Sequence, residues 1–139
     1  MNYALRNNEI LSEAQRKLVT NLDNAIDKLP KYSSKPPLYR SYSNGLGFDS
    51  MKFAIDVGNK GVLSDSAVFF TSTDIYDPND DLRVIILKSK SGAVLGKYDT
   101  TGEKEVLFPR NTVFKVVKCY TERRENDKKV PIIEVVENE

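Results

Sequence analysis

Two stretches that favour β-strands carry polar side chains suited to binding or chemistry. Arg40 stands in the middle of Leu38-Tyr39-Arg40-Ser41-Tyr42. Its guanidinium either reaches solvent or enters a cleft, where its fork suits a phosphate or a carboxylate. The hydroxyl residues Thr71-Ser72-Thr73 follow the aromatic pair Phe69-Phe70. They could position a ligand or a neighbouring side chain, or simply satisfy backbone groups where a strand ends.

A pair of glutamates lies at the start of a third such stretch. Glu103 and Glu105 are two residues apart and lead into Val106-Leu107-Phe108-Pro109. In extended backbone both side chains point to the same face. Like charges this close repel one another unless a cation or a substrate lies between them. The pair is therefore either a candidate catalytic site or two surface glutamates at the beginning of a strand.

The composition narrows the chemistry that such residues could perform. Among 139 residues there is no histidine and a single cysteine, Cys119. Histidine-dependent triads, histidine-ligated zinc, multi-cysteine metal sites and an intramolecular disulfide framework are thereby excluded. Any catalysis must use carboxylates, hydroxyls, Arg or Lys. A formal net charge of +1 argues against a large nucleic-acid-binding surface.

The beginning of the chain favours a helix followed by a connector. Apolar residues recur at steps of three and four, Ser12 and Gln15 have capping-box spacing, and Pro30 ends the run. Residues 32–37 are rich in Ser, Lys and Pro and suit neither regular element. The predicted apolar stripe consists of Leu11, Ala14, Leu18, Leu22, Ala25 and Leu29.

The remainder favours short strands with turns between them, interrupted by a short helix over 50–57 and a Gly-rich turn at 58–61. The run 122–129 is charged except for Asn126 and is typical of a solvated hairpin tip. Without βαβ alternation, the pattern predicts a single α+β domain over 1–139, with helix and connector in 1–37 and a mainly β core in 38–139. The predicted strands are 38–42, 67–73, 82–87, 93–95, 105–108, 112–120 and 130–136.

Taken in order, the three polar segments resemble a known signature. An arginine in a strand, hydroxyls after an aromatic strand, and Glu103-Lys104-Glu105 before Val106-Leu107-Phe108-Pro109 are similar to the arginine, serine-threonine-serine and glutamate-x-glutamate motifs of mono-ADP-ribosyltransferases. That family includes toxin-like enzymes of bacteria and phages. The resemblance covers almost the whole chain, and the glutamate segment is its most specific part. It implies a split β-sandwich with an N-terminal helix.

The resemblance also implies roles for residues that would bind NAD, the co-substrate. Arg40 would bind the phosphates of NAD, and Ser41 would present backbone groups to the nicotinamide amide. Ser72 would orient the catalytic glutamate, and Thr73 would brace the strand. Asp74 departs from the usual serine and receives no role.

The catalytic roles implied by the resemblance fall on the glutamates. Glu105 would stabilise the ribosyl cation, and Glu103 is the upstream glutamate typical of members that modify arginine. Tyr98, in the loop over 96–102, would contact the protein substrate. No metal is implied. The short connection over 74–81 lacks the helix that many relatives carry there, which suggests a reduced lid over nicotinamide.

The expected function is transfer of one ADP-ribose from NAD to an arginine of a target protein, as a toxin, an effector or a phage enzyme. The alternatives are transfer to nucleic acid, simple NAD hydrolysis, or a non-catalytic binding module with the same fold. An immunity or antitoxin protein is a further expected partner. No run of about 20 apolar residues and no signal-peptide pattern occurs, so a cytoplasmic protein, or one delivered by a separate system, is expected.

Overall fold

The structure is a computed structural model and describes residues 13–32, 37–45, 47–65, 69–75, 77–94 and 105–137. Its helices are α1 (Glu13–Lys28) and α2 (Ser50–Lys60). Its strands are β1 (Leu38–Tyr42), β2 (Val62–Ser64), β3 (Phe69–Ser72), β4 (Leu82–Lys88), β5 (Ala93–Val94), β6 (Glu105–Phe108), β7 (Val113–Arg123) and β8 (Lys129–Glu137). None of the described helices is long and apolar enough to cross a lipid bilayer.

The described strands form one sheet in the order β2-β7-β8-β4-β1-β3-β6-β5. Neighbouring strands are antiparallel except β4 and β8, which are parallel. β1 pairs with β4 over five residues but with β3 at a single pair, Tyr39 and Ser72. The ladder is therefore weakest between β1 and β3, and this junction divides the sheet into two halves. The expected α+β class with a split sheet is confirmed.

The main core lies on one face of this sheet and is rich in aromatic and β-branched residues. Phe69, Phe108 and Phe114 pack with ring centroids 5.0 to 6.5 Å apart, an arrangement that favours aromatic pairs. Because β3, β6 and β7 each contribute one of these rings, the cluster holds strands from both halves together. Other buried members of the core are Leu38, Val57, Leu63, Leu82, Val84, Ile86, Val106, Ile133 and Val135.

The first helix packs against β5 and β6 through a narrower apolar stripe than the sequence predicts. Ile26 is buried against Ala93 and Leu107, with Leu22 and Leu29 beside it. Three members of the predicted stripe, Ala14, Leu18 and Ala25, are exposed, so the prediction was wrong about them. The apolar contacts follow the spacing 22, 26 and 29, so the predicted Leu22 and Leu29 are confirmed and Ile26 takes the place of Ala25. Leu11 and the capping residue Ser12 lie outside the described residues.

The second helix is longer than predicted because both of its ends are well capped. The Asp49 carboxylate accepts hydrogen bonds from the amides of Met51 and Lys52. The helix continues through Gly58 and ends at Gly61, whose φ of 73° is left-handed. The predicted turn over 58–61 was therefore wrong for its first three residues. β2 follows directly, and no strand was predicted there.

The other strand predictions are confirmed where the chain is described. β1 and β6 have the predicted bounds, and β4, β7 and β8 extend beyond them by up to three residues. β3 ends at Ser72, one residue before the predicted end, and β5 agrees over its described residues. Positions 67, 68 and 95 lie outside the description. The predicted hairpin between β7 and β8 is confirmed, although its tip is not simply solvated, as shown below.

Gly92, just before β5, lies where a side chain would collide with the core. A Cβ there would be 2.8 Å from Val106 Cγ1 and 3.0 Å from Phe108 Cζ. We expect Gly92→Ala to lower the free energy of unfolding by about 1–3 kcal/mol, as overpacking does. Urea denaturation measures this change. The control is Gly58→Ala, whose Cβ meets Cys119 Sγ at an ordinary 3.6 Å and which should stabilise its helix. Equal stability of the two variants would contradict the prediction.

Candidate active site

The strand register places two of the expected site residues side by side. β3 pairs with β6 so that Ser72 is opposite Glu105, and β1 adds Tyr39 opposite Ser72. Directly opposed residues have Cα atoms about 5 Å apart and side chains on the same face. The Ser72 side chain is buried, and that of Glu105 is half-buried. Tyr39, Ser72 and Glu105 thus form one row across the junction between the halves of the sheet.

The two hydroxyl residues of β3, Thr71 and Ser72, make different kinds of hydrogen bond, which the sequence did not predict. Ser72 Oγ accepts from the Asp74 amide at 3.2 Å, which tightens the turn that follows the strand. The buried hydroxyl of Thr71 braces the sheet, because it donates to the Val106 carbonyl at 2.7 Å. The role expected of Thr73, bracing the strand, stays a prediction. Thr73 Oγ1 is buried and has no hydrogen-bond partner within the described ranges.

Arg40 lies next to this row but directs its side chain to the other face. Its guanidinium carbon is 5.1 Å from the centroid of the Tyr42 ring and 5.2 Å from that of Phe69, both suitable for cation–π contact. One terminal nitrogen donates to the Phe70 carbonyl at 3.1 Å. This contact forms where the ladder between β1 and β3 has ended. The Arg40 side chain therefore spans the junction beside the row.

A cavity of about 330 Å³ adjoins Arg40 on that face. The rings of Tyr42, Phe48 and Phe53 line it and pack on one another with centroids 5.4 to 5.5 Å apart. Arg40 Nε is buried and has no acceptor in the described part of the chain. Buried donors without acceptors are uncommon in folded proteins, so this nitrogen is a candidate for binding an anion.

Ser41 contributes a side chain to a buried ionic network that the sequence did not predict. Its hydroxyl donates to Asp80 at 2.7 Å, and Asp80 is fully buried. Arg83 and Arg124 form ion pairs with the same carboxylate at 3.0 and 2.8 Å. Although desolvation opposes its charge, Arg124 has a raised pKa because it donates hydrogen bonds to Asp80 and Glu122.

Lys128 makes the second contact between the hairpin tip and the loop before β4. It forms an ion pair with Asp81, which also accepts from the Asn44 amide at 2.7 Å. Both hydrogen bonds favour the charged carboxylate and hold the pKa of Asp81 below its usual value. The hydrogen bond from Lys128 has the larger effect. The predicted solvated tip is confirmed for the six exposed residues of 122–129, but Arg124 and Lys128 are half-buried by these contacts. Its acidic partners are more than 40 residues away in the chain, so no local pattern could have indicated them.

Two of the expected site residues, Glu103 and Tyr98, lie outside the described residues. In the described connection after β3, residues 73–75 and 77–81 form turns and bends without a helix. Within the described ranges, no three acidic or cysteine side chains form a group that could hold a metal ion.

Comparison with solved structures finds the same fold in bacterial ADP-ribosyltransferases. The C3larvin toxin from Paenibacillus larvae superposes with a TM-score of 0.69 at 19% identity, over 99% of this chain and 80% of that one. Plx2a, an ADP-ribosyltransferase toxin from the same organism, has a TM-score of 0.74 at 17% identity, over 99% and 78% of the two chains.

Exoenzyme S from Pseudomonas aeruginosa is also similar, in a complex with human 14-3-3 protein beta and carba-NAD. Its TM-score is 0.65 at 18% identity, over 96% of this chain and 64% of that one. No curated protein matches this sequence.

Identities this low show a shared fold but do not assign the chain to a family. A family model provides that assignment. The model of the ADP-ribosyltransferase exoenzymes matches residues 1–138, nearly the whole chain. It agrees with the fold and with the resemblance carried by the arginine, hydroxyl and glutamate segments. This chain therefore belongs to the ADP-ribosyltransferase exoenzyme family, whose toxins are mono-ADP-ribosyltransferases.

Proposed function

We propose that this protein transfers ADP-ribose from NAD to arginine side chains of a target protein, as a toxin or effector. The observation that carries the proposal is the row in which Ser72 and Glu105 are direct cross-strand partners. A buried hydroxyl directly opposite a half-buried carboxylate is in a place from which it could orient that carboxylate. A fixed orientation is the requirement for a group that stabilises charge developing at a single atom.

In the proposed reaction, the bond between nicotinamide and ribose breaks, and nicotinamide leaves with the bonding electrons. The ribosyl group passes through an oxocarbenium-like state, the same electronic problem that glycosidases solve with carboxylates. Glu105 stabilises that positive charge through the ribose, and Ser72 orients Glu105. A nitrogen of the acceptor guanidinium then attacks the anomeric carbon, and Glu103 accepts the proton that this nitrogen loses.

The binding of NAD is assigned to groups on β1. Arg40 would bind the pyrophosphate where β1 and β3 part. Its side chain lies on the other face from Glu105, but its guanidinium spans this junction and has a buried donor without a described acceptor. Ser41 would present its backbone to the nicotinamide amide, and its hydroxyl is already held by Asp80. Tyr98 is the proposed contact to the target protein. The carba-NAD complex of exoenzyme S supports NAD as the substrate of this fold.

The acceptor is tested by incubating the purified protein with NAD labelled in its adenylate part and a cell lysate. We expect the label on protein, and neutral hydroxylamine should release it because arginine-linked ADP-ribose is sensitive to that reagent. Label on protein that resists hydroxylamine would contradict arginine as the acceptor. Label removed by nucleases, or free ADP-ribose alone, would favour nucleic-acid modification or NAD hydrolysis. If the folded protein consumed no NAD, the remaining alternative would be a non-catalytic binding module.

Glu103 is predicted to act in transfer and not in cleavage of NAD. We expect Glu103→Gln to lower protein labelling by about 10²-fold, a typical contribution of general-base catalysis. NAD hydrolysis should fall less than threefold, because Glu105 is unchanged. The measurement compares labelled protein with free nicotinamide in the same reaction. Equal loss of both activities would contradict this division between the two glutamates.

A further inference from the structure

The carboxylate of Asp80 is saturated by side chains from three parts of the fold. Oδ2 accepts from Ser41 Oγ at 2.7 Å and from Arg83 Nε at 3.0 Å. Oδ1 accepts from Arg83 at 3.2 Å and from Arg124 at 2.8 Å. All four hydrogen bonds lie in or near the protein interior, where each is stronger than at the surface. Asp80 therefore joins the end of β1, the start of β4 and the hairpin tip between β7 and β8.

Arg124 is the member of this network that comes from farthest along the chain. Its guanidinium binds Asp80, the Pro78 carbonyl and Glu122 with different nitrogens, and its side chain is 16% exposed. All three acceptors orient the planar fork, so it cannot turn without losing hydrogen bonds. Through Pro78 and Asp80, Arg124 holds the end of the loop that begins directly after Ser72.

The network ends at the residues to which NAD binding is assigned. Ser41, which donates the last hydrogen bond of the network to Asp80, directly follows Arg40 in β1. β1 no longer pairs with β3 beyond Tyr39. The part of β1 that contains Ser41 is therefore held by its pairing with β4 and by the hydrogen bond from Ser41 to Asp80. Asp81 adds a backbone bond to the Tyr42 carbonyl at 2.8 Å.

We propose that Arg124, acting through Asp80, is a positioning residue for NAD: it holds the backbone at Ser41 and the loop after Ser72 in the conformation that binds the dinucleotide. The inference rests on the proposed function, since it concerns how that same site is organised. Arg124 does not contact the substrate in this role. It raises the fraction of molecules whose site is already formed, and the apparent affinity for NAD falls in proportion when that fraction falls.

The test is Arg124→Gln, in the intact chain, with NAD hydrolysis and NAD binding as readouts. We expect KM and Kd for NAD to rise about tenfold, which corresponds to a tenfold lower fraction of competent molecules. kcat should stay within twofold, because the bound state is unchanged. Arg124→Lys should recover part of the affinity, since it restores the charge without the planar fork. Assays are run well below the melting temperature of each variant.

The matched control is Arg123→Gln, which removes the same charge from the exposed neighbour in β7. It should leave KM unchanged. Ser41→Ala should raise KM in the same direction, and its effect should not add to that of Arg124→Gln, because both act through Asp80.

Three outcomes would overturn the inference. A lower melting temperature of Arg124→Gln with an unchanged KM would reduce the network to a structural role. Additive effects of the two substitutions would separate Ser41 from Arg124. An unaltered protein that neither binds nor hydrolyses NAD would overturn the proposed function and this inference together. When the unaltered protein binds NAD and Arg124→Gln binds it equally well, only the inference fails.

Discussion

Glu105→Gln is expected to lower the rate of NAD cleavage by about 10²–10³-fold, the usual cost of losing one preorganised electrostatic contact to a developing charge. Glutamine has nearly the same shape and can still pair with Ser72 across the strands, so the fold should be kept. What is lost is the negative charge next to the ribosyl cation. Release of nicotinamide, measured at saturating NAD, reports this rate directly. Both NAD hydrolysis and protein labelling should fall together.

The control for this prediction is Glu125→Gln, the same substitution at an exposed position of the β7–β8 hairpin tip. It should retain the full rate. NAD binding should be nearly unchanged in Glu105→Gln, because the pyrophosphate is assigned to Arg40. A variant that cleaves NAD within threefold of the unaltered protein would remove Glu105 from the catalytic role and refute the proposed mechanism.

Asp80→Asn is expected to have the largest effect on stability, lowering the free energy of unfolding by about 3–5 kcal/mol. Asp80 is fully buried and is the shared partner of two arginines, of which Arg83 is 8% exposed. The amide cannot neutralise either guanidinium. Arg124 keeps its ion pair with Glu122, but Arg83 loses the carboxylate that neutralises it in the interior. Breaking a buried ion pair by removing one partner is costly for that reason. The loss would be a large fraction of the stability of a typical domain.

Urea denaturation followed by circular dichroism measures this effect as a lower midpoint with an unchanged slope. Asp56→Asn, an identical change at an exposed position of α2, should change the free energy of unfolding by less than about 0.5 kcal/mol. If Asp80→Asn were as stable as that control, the ionic network would contribute little to folding. The role of Asp80 in holding the hairpin tip would then have to be abandoned.

Local sequence patterns predicted helices and strands correctly where one residue type or one hydrophobic period dominates the segment. β6 begins at Glu105 and ends at Phe108 as predicted, because a glutamate precedes three buried apolar residues and Pro109 follows them. β1 and the β7–β8 hairpin follow from similar signals. In the stripe of α1, Leu22 and Leu29 were predicted correctly but Ile26 was missed, because its tertiary contact with Leu107 decides which face is buried.

The sequence suggested which residues belong to the candidate site. Their positions relative to one another depend on pairing between strands that are far apart in the chain. The order of arginine, hydroxyls and glutamates carried the resemblance to the family. It did not reveal that Thr71 would bond the Val106 carbonyl, or that Arg40 would direct its side chain to the face opposite Ser72. Those facts depend on register, and a shift of one residue would exchange the two faces of a strand.

The amino-acid sequence by itself determined the order of the helices and of every described strand except β2, the absence of histidine and intramolecular disulfide chemistry, and the family to which the chain belongs. Those properties depend on residue types and on periods of two or 3.6 residues, which are local. The tertiary structure decided that Ser72 is opposite Glu105 and that Arg124 reaches Asp80 across 44 positions of the chain. Such contacts form only when the whole sheet closes around its core, because distant segments are brought together by packing and not by their own sequence.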